Sequence, residues 1–476
     1  MRTQCTTDRL TFQPLGRREV VGAFDGGTIT SDAGGLLLRE VEGRTGIIRQ
    51  FAACFLDHRD PELIEHRVEE LVGQRVYALA LGYEDLNDHD RLRLDPLLAT
   101  LVGKQDPTGQ DRRRERDRGK PLAGKSRLNR LELSPVGADE QSRYKKIPAD
   151  TRRIERLFVE FFLQAHPQAP QRIVLDLDAT DDAVHGDQLG RFFHGYYPEY
   201  CYLPLYIFCG HELLGGWLRP SDIDASAGAL KRVTAIVQRL REVWPQVKIV
   251  LRGDSGFCRE PLMRWCEEKG VDYLFGLAKN ARLLAELKSE LALAEAQYRS
   301  TGQAARVFKD FCYQTLDSWS CPRRVVGKAE HLPKGPNPRF VVSSLSAEQF
   351  DAQTLYEVEY CGRGDMENRI KEQQLCLFAD RTSAATMRAN QLRLWFSAVG
   401  YTLLQALRRL GLPETVMAEA QCDTIRLKLL KIGAQIRVTV RKIWVAFAEG
   451  CPYETIFRQV YQNLLATRPL WIPSRC

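Results

Sequence analysis

The sequence predicts an α/β protein, and three observations carry that expectation. Residues 172–180, RIVLDLDAT, are an apolar, β-branched run of strand length that ends in two aspartates. From there the patterns alternate as strand, strand, strand, helix, strand, helix, strand, helix. Residues 303–346 then read as an antiparallel strand unit, and helical spacing returns on both flanks of the whole region. A chain of 476 residues is long enough for several domains. The organisation expected is a mainly helical N-terminal region at 1–150, a core at 151–411 with a β-rich insertion at about 300–350, and a mixed or helical C-terminal region at 412–476.

Taken in order, residues 1–33 read as extended or irregular, punctuated by Gly26 and Gly27. Apolar residues at helical spacing begin at Gly35, and a second helix follows Pro61, with Asp60 as its cap. Asp85, Asp88, His89, Asp90 and Asp95 cluster next. They read as turn and cap residues between helices rather than as a metal site. Residues 108–131 hold the densest basic run: Arg112, Arg113, Arg114, Lys120, Lys125, Arg127 and Arg130 among others. Such a run suits contact with phosphates, while Glu115 and Asp117 also suit a solvated loop. An amphipathic helix occupies 151–169, ahead of the opening strand. Two strands fall in 199–218 and helices at 226–244 and 261–269. Strands end near Asp254 and Asn280, and a long helix follows. Helical pattern resumes at 362–378 and 385–410.

Composition narrows the class. With 44% apolar and 27% charged residues the chain is an ordinary globular protein. A net charge of 68 − 61 = +7 is compatible with nucleic acid as a partner without demanding it. No run of apolar residues is long enough for a membrane span. The opening residues lack an apolar signal core, so a cytoplasmic protein is expected. The 13 cysteines are odd in number and include no C-x-x-C pair, which argues for reduced thiols rather than a zinc ribbon.

Strand alternation puts Val174, Asp176 and Asp178 on one face of the opening strand. A buried strand tolerates carboxylates only where something offsets their charge. Asp254 follows the fourth strand, and Glu367 lies on a helix far downstream. Two carboxylates at adjacent strand ends and one from a packed helix suit two hard divalent cations such as Mg²⁺, with Mn²⁺ able to substitute. Tyr360, Arg363, Glu367 and Lys371 are spaced 3, 4 and 4 residues apart, so a continuous helix would align them on one face. The same residues admit other readings. DLDAT and GDS echo haloacid-dehalogenase-like phosphohydrolases, with Asp176 as nucleophile, although Cys258 stands where that family has a second acid. The Glu367 helix also reads as a salt-bridged surface helix.

Five stretches carry a resemblance to a known family: FDGGTITSDAGGLLLRE, HRVEELVGQRVYALALGYEDLNDHDRLRLDP, LDLDATDDAVHGDQLGRFFHGYY, LRGDSGF and RGDMENRIKE. Together they resemble the DDE transposases of bacterial insertion sequences, specifically the insertion sequence 1380 group. The resemblance implies an RNase-H-like, mixed-sheet catalytic core with a β-rich insertion before the glutamate helix, flanked by helical regions. It implies Asp178, Asp254 and Glu367 as the catalytic, metal-holding acids, and Tyr360 and Arg363 as companions on the DNA. The family's signature lysine falls at Gln374, with Lys371 as the nearest substitute. The region 1–150, with its basic segment, is implied to bind DNA, and Trp319 is a possible base-stacking residue. The implied activity is cleavage at terminal inverted repeats and transfer of 3′-OH ends into target DNA. It would be carried out in the bacterial nucleoid by a dimer on paired ends. A catalytically inactive, transposase-derived DNA-binding protein is the remaining alternative.

Overall fold

The computed structural model describes residues 9–468. The opening residues on which the signal-peptide expectation rests, with Cys5 and Cys476, lie outside them. The chain forms two compact units, one of residues 149–405 and one combining 1–148 with 406–476.

The 149–405 unit opens with helix α1 (Thr151–Ala165), capped by Asp150, whose carboxylate accepts from the Arg152 and Arg153 amides. Such a cap is worth about 1 kcal/mol. Strands β1 (Arg172–Ala179), β2 (Leu205–Cys209) and β3 (Glu212–Trp217) follow, then helix α2 (Ala229–Val243). Strand β4 (Lys248–Gly253), helix α3 (Glu260–Lys269) and strand β5 (Asp272–Leu277) continue the alternation. In the sheet the order is β3-β2-β1-β4-β5. β4 runs parallel to β1 and β5, while β2 runs antiparallel to β1 and to β3. This is the RNase-H-like mixed sheet.

The β-rich insertion comprises β6 (Ala305–Tyr313), β7 (Arg323–Leu332) and β8 (Arg339–Ser343), after a helix α4 (Lys288–Thr301). It is no separate sheet: β8 pairs antiparallel with β5, so the insertion extends the core sheet outward as β5-β8-β7-β6.

Both faces of the sheet are covered. Ile173, Leu175 and Leu177 on β1 pack with Phe162 of α1 and with Val233, Ile236 and Leu240 of α2. Burying each contributes about 1.5–3 kcal/mol. The opposite face packs Val250, Leu274, Val326 and Val341 against Leu355 and Tyr356. A long helix, Met387–Gly411, joins β3 through polar bonds: Trp395 Nε1 and Gln391 Nε2 donate to the Gly216 carbonyl at 3.0 and 3.1 Å.

The other unit is mainly helical, with helices Gly35–Thr45, Val68–Ala80 and Glu454–Ala466 among others. The first expected helix is broken at Gly46, which adopts φ 64°. The second expected helix does not start at Pro61: Asp60 caps only a 3₁₀ turn, Pro61–Leu63, and the helix begins at Val68. Asp95 caps Pro96–Val102, as expected of turn-rich acids. Gly34 is required by space, since a Cβ there would meet the Leu429 carbonyl oxygen at 1.8 Å. Among the described residues no helix is long and apolar enough to cross a membrane.

Candidate functional site

Sheet register brings the first two acids level. The parallel pairing of β4 with β1 sets Arg252 opposite Asp176 and Gly253 opposite Leu177. Asp254 follows one residue later, at the height of Asp178. The Asp254 carboxylate is held by the Gly256 amide at 2.8 Å. Gly276 on β5 gives this end of the sheet room: a Cβ there would meet the Tyr360 hydroxyl at 2.6 Å and the Ser255 amide at 2.9 Å.

Glu367 approaches from a helical segment that is less regular than its spacing predicts. Residues Leu355–Tyr360 form a π-helical turn, Cys361–Arg363 a 3₁₀ turn, Gly364–Lys371 an α-helix (α5) and Glu372–Cys376 a second π turn. The helical run from 352 to 377 is unbroken, but its turns are not uniform. Gly362 and Gly364 are weak helix formers, and Gly362 sits where a Cβ would meet Arg252 Nη1 at 2.8 Å. Wide turns of this kind are frequent at functional sites.

Arg363 links the acids. Its guanidinium donates to Glu367 at 2.7 Å and lies 3.6 Å from Asp178. Asp178 is largely buried, and that burial pushes its carboxyl up to about 6; Arg363 opposes the shift, while the nearby Asp254 and Glu367 add to it. Tyr360 reaches the same region, and burial, reinforced by Asp254, raises its phenol while Arg363 opposes the rise. Lys371 is exposed. Gln374, at the signature-lysine position, instead donates to the Asp181 carbonyl at 3.0 Å and to Asp182 Oδ1 at 2.8 Å.

Among the described residues no three His, Cys, Asp or Glu side chains stand in metal-ligand spacing. Between Asp178 and Glu367 stands the Arg363 cation. The donor chemistry nevertheless fits a hard divalent ion, since all three acids offer only oxygen. Their mutual repulsion at Asp178 is the kind that a cation relieves.

Asp176, the nucleophile of the phosphohydrolase reading, is closed off. Arg252 Nη2 donates to Asp176 Oδ2 at 2.8 Å, and Nε donates to Oδ1. Arg252 also donates to the Glu359 carbonyl, and Arg172 grips the Glu359 carboxylate. Trp319 is buried, set edge-on to Tyr313 at 5.8 Å with Arg323 over its ring, so it packs the insertion rather than offering a face for stacking.

The basic segment resolves into different roles. Arg112 is buried, bonded to Glu65 at 3.1 Å, to the Lys120 carbonyl at 3.1 Å and to His66 Nε2 at 2.7 Å. Burial, with Lys104, Arg112, Arg127 and Arg59 nearby, pushes the His66 imidazole down to about 2. Lys120 donates to the Arg116 carbonyl, and Lys125 lies near Asp90 and Asn87. Arg113, Arg114, Arg127 and Arg130 line a cavity of about 320 Å³ together with Arg59 and Lys146. Glu65 pairs with Arg127 on its wall. Tyr144 stands under Arg130 and Arg143, both 4.9 Å from its centroid. The sequence reading missed Arg59, Tyr144 and Lys146. The signal for two of them was the short run RYKK at 143–146.

A solved structure similar to this chain is that of the piggyBac transposase synaptic complex with hairpin DNA, at 12% identity and a TM-score of 0.41, covering 94% of this chain and 87% of that one. No curated protein matches. The family model described as transposase DDE domain group 1 matches residues 12–469. Members of such families work on DNA with divalent metal ions. The chain spans this model across nearly all its length, and it belongs to the transposase DDE domain group 1 family.

Proposed function

We propose that this transposase cuts DNA at the terminal inverted repeats of an insertion sequence and joins the freed 3′-OH ends to target DNA. The observation that carries the reading is the convergence of Asp178 and Asp254, level on adjacent parallel strands, with Glu367 brought to Asp178 through Arg363. Asp178, Asp254 and Glu367 would hold two Mg²⁺, or Mn²⁺ in their place. Ions so held supply Lewis acidity, activating a water or 3′-hydroxyl and stabilising the leaving oxygen.

The chain's own residues do the rest. Arg363, Tyr360 and Lys371 steady the phosphates beside the acids, and the partial burial of Asp178 strengthens every charge interaction there. Arg363 exchanges its carboxylate partners for a DNA phosphate, a bidentate acceptor of similar geometry. Arg113, Arg114, Arg127 and Arg130 grip the end DNA, while Arg112, Lys120 and Lys125 shape the segment that presents them. Two copies acting on paired ends account for concerted joining.

The test is cleavage of the element's own flanking ends by purified protein with Mg²⁺ or Mn²⁺. Nicking at the repeat boundary is expected, lost on chelation. Binding of the ends without nicking in either metal would overturn the reading.

A further inference from the structure

A small sheet in the mainly helical unit carries a basic face that the reaction described above does not use. Strand Ala434–Val438 pairs antiparallel with Ile443–Phe447 on one side and with Ile29–Thr30 on the other. The inner face of this sheet is rooted: Ala434 and Ile436 are buried with Ala33 and Leu97, and Val438 and Val445 pack against them. The register gathers the outer face. Arg437 stands opposite Trp444 and Gln435 opposite Ala446, and alternation adds Thr439 and Lys442 to the same side. All six of these residues are exposed.

Past Ile436, whose amide donates to the Thr28 carbonyl at 2.8 Å, the third strand ends and the pair continues alone as a two-stranded ribbon. Its tip is fixed. The Thr439 amide and hydroxyl donate to the Lys442 carbonyl at 2.9 and 2.8 Å, and the Lys442 amide donates to the Thr439 hydroxyl at 3.0 Å. Val440 and Arg441 form the turn between them, both exposed. Arg437 and Lys442 lie over the Trp444 ring, 5.9 and 5.2 Å from its centroid, so the indole holds both cations close to the ribbon. No acid stands on this face or in the turn.

Three cations on an exposed ribbon without an acid suit a polyanion. Two strands lie about 4.8 Å apart. With its side chains such a ribbon fits a DNA major groove, about 12 Å wide, and is too broad for the minor groove, about 6 Å wide. A second copy docked by the same face would set these cations opposite one another. We propose that the ribbon enters the major groove of the element's own end duplex, Arg437 reading a guanine edge while Arg441 and Lys442 hold flanking phosphates. The ribbon belongs to the same compact unit as the cavity of Arg113, Arg114, Arg127 and Arg130, which favours the end duplex over target DNA as its partner. The proposal rests on the reading above that this chain cuts its element's ends, and adds what recognises them.

The experiment uses the full chain and reads affinity by fluorescence anisotropy, with chelator present, for a duplex of the element's own end and for a shuffled duplex of equal composition. Arg437→Gln is expected to lower the preference for the own end roughly ten- to a hundredfold. Arg441→Gln with Lys442→Gln is expected to weaken both duplexes alike and to flatten the slope of log K against log salt by about two. Base analogues identify the groove: 7-deazaguanine removes an acceptor from the major groove, and inosine removes the amino group from the minor groove. At one position 7-deazaguanine weakens wild-type binding and leaves that of Arg437→Gln unchanged, while inosine there is neutral to both. The altered side chains are exposed, so the variants melt as the wild type does. If Arg437→Gln keeps the preference, or the wild type is indifferent to every 7-deazaguanine, the ribbon is overturned while the DNA-cutting reading stands. A change of oligomeric mass in Arg437→Gln with both DNA affinities unchanged overturns it too, marking the face as a protein contact. A wild type that neither prefers nor nicks its own end overturns both.

Discussion

Two arginine–aspartate contacts sit two residues apart on one face of β1, and they are built differently. Asp176 is buried and Arg252 mostly so, and they meet through two parallel hydrogen bonds; Arg252 also donates to the Glu359 carbonyl. Asp178 and Arg363 meet at 3.6 Å, and the same guanidinium is shared with the half-exposed Glu367. The inner pair is complete: its charges are matched and its geometry is fixed, so it ties the β1–β4 strand pair to the segment that carries Glu367. The outer set is over-supplied with negative charge, three carboxylates to one arginine, and so has capacity for further cations. One strand thus carries a structural latch and, two residues on, the candidate site.

The largest expected effect lies in the outer set. Asp254→Asn or Glu367→Gln should lower end cleavage by about 10³-fold or more while leaving end affinity within a few fold, as single-turnover rates and binding titrations would read. Comparable loss of affinity would mean that these acids shape the fold rather than the reaction. Next comes the latch. Arg252→Met leaves Asp176 buried without its partner, and a loss of about 3–5 kcal/mol is expected in thermal or denaturant unfolding. Arg363→Met should cost no more than about 1 kcal/mol, because its contacts are looser and its carboxylate partners partly solvated. Added Mg²⁺ should then raise the melting temperature of the Arg363→Met protein more than that of the wild type, since the ion no longer competes with a guanidinium. Equal stability losses at Arg252 and Arg363 would erase the distinction.

The last effect is confined to a pH window and concerns Asp182. Burial pushes its carboxyl up to about 8, with the Gln374 bond opposing. The folded state therefore keeps a proton that the unfolded chain releases above about 4. Stability contributed by this group falls as pH rises from about 4 to 8 and changes no further above that. Asp182→Asn removes the slope, so its melting temperature should gain on the wild type across that window. A constant difference across the window would show that Asp182 does not titrate there.

The sequence was most legible where the candidate site sits on regular elements. Asp178 and Asp254 could be placed because strand alternation and the helix–strand order leave few registers open to β1 and β4. Glu367 was found with Arg363 by i,i+4 spacing, which survived the change to mixed helical turns. What escaped was decided by tertiary partners. Arg112 and Arg113 are neighbours of one type, yet one is buried on Glu65 and His66 and the other lines the basic cavity. Trp319 packs its own insertion because Tyr313 and Arg323 close over it. Gln374 reads as a missing lysine until the bonds to Asp181 and Asp182 give it a partner.

The central claim is that Asp178, not Asp176, carries the chemistry of β1. The direct measurement compares Asp176→Asn and Asp178→Asn proteins for Mg²⁺-dependent cleavage of the element's ends, each normalised to its folded fraction. The account predicts that Asp178→Asn binds the ends and does not cut them, whereas Asp176→Asn is less stable yet still cuts. Loss of cleavage in Asp176→Asn alone, with Asp178→Asn active, would contradict it.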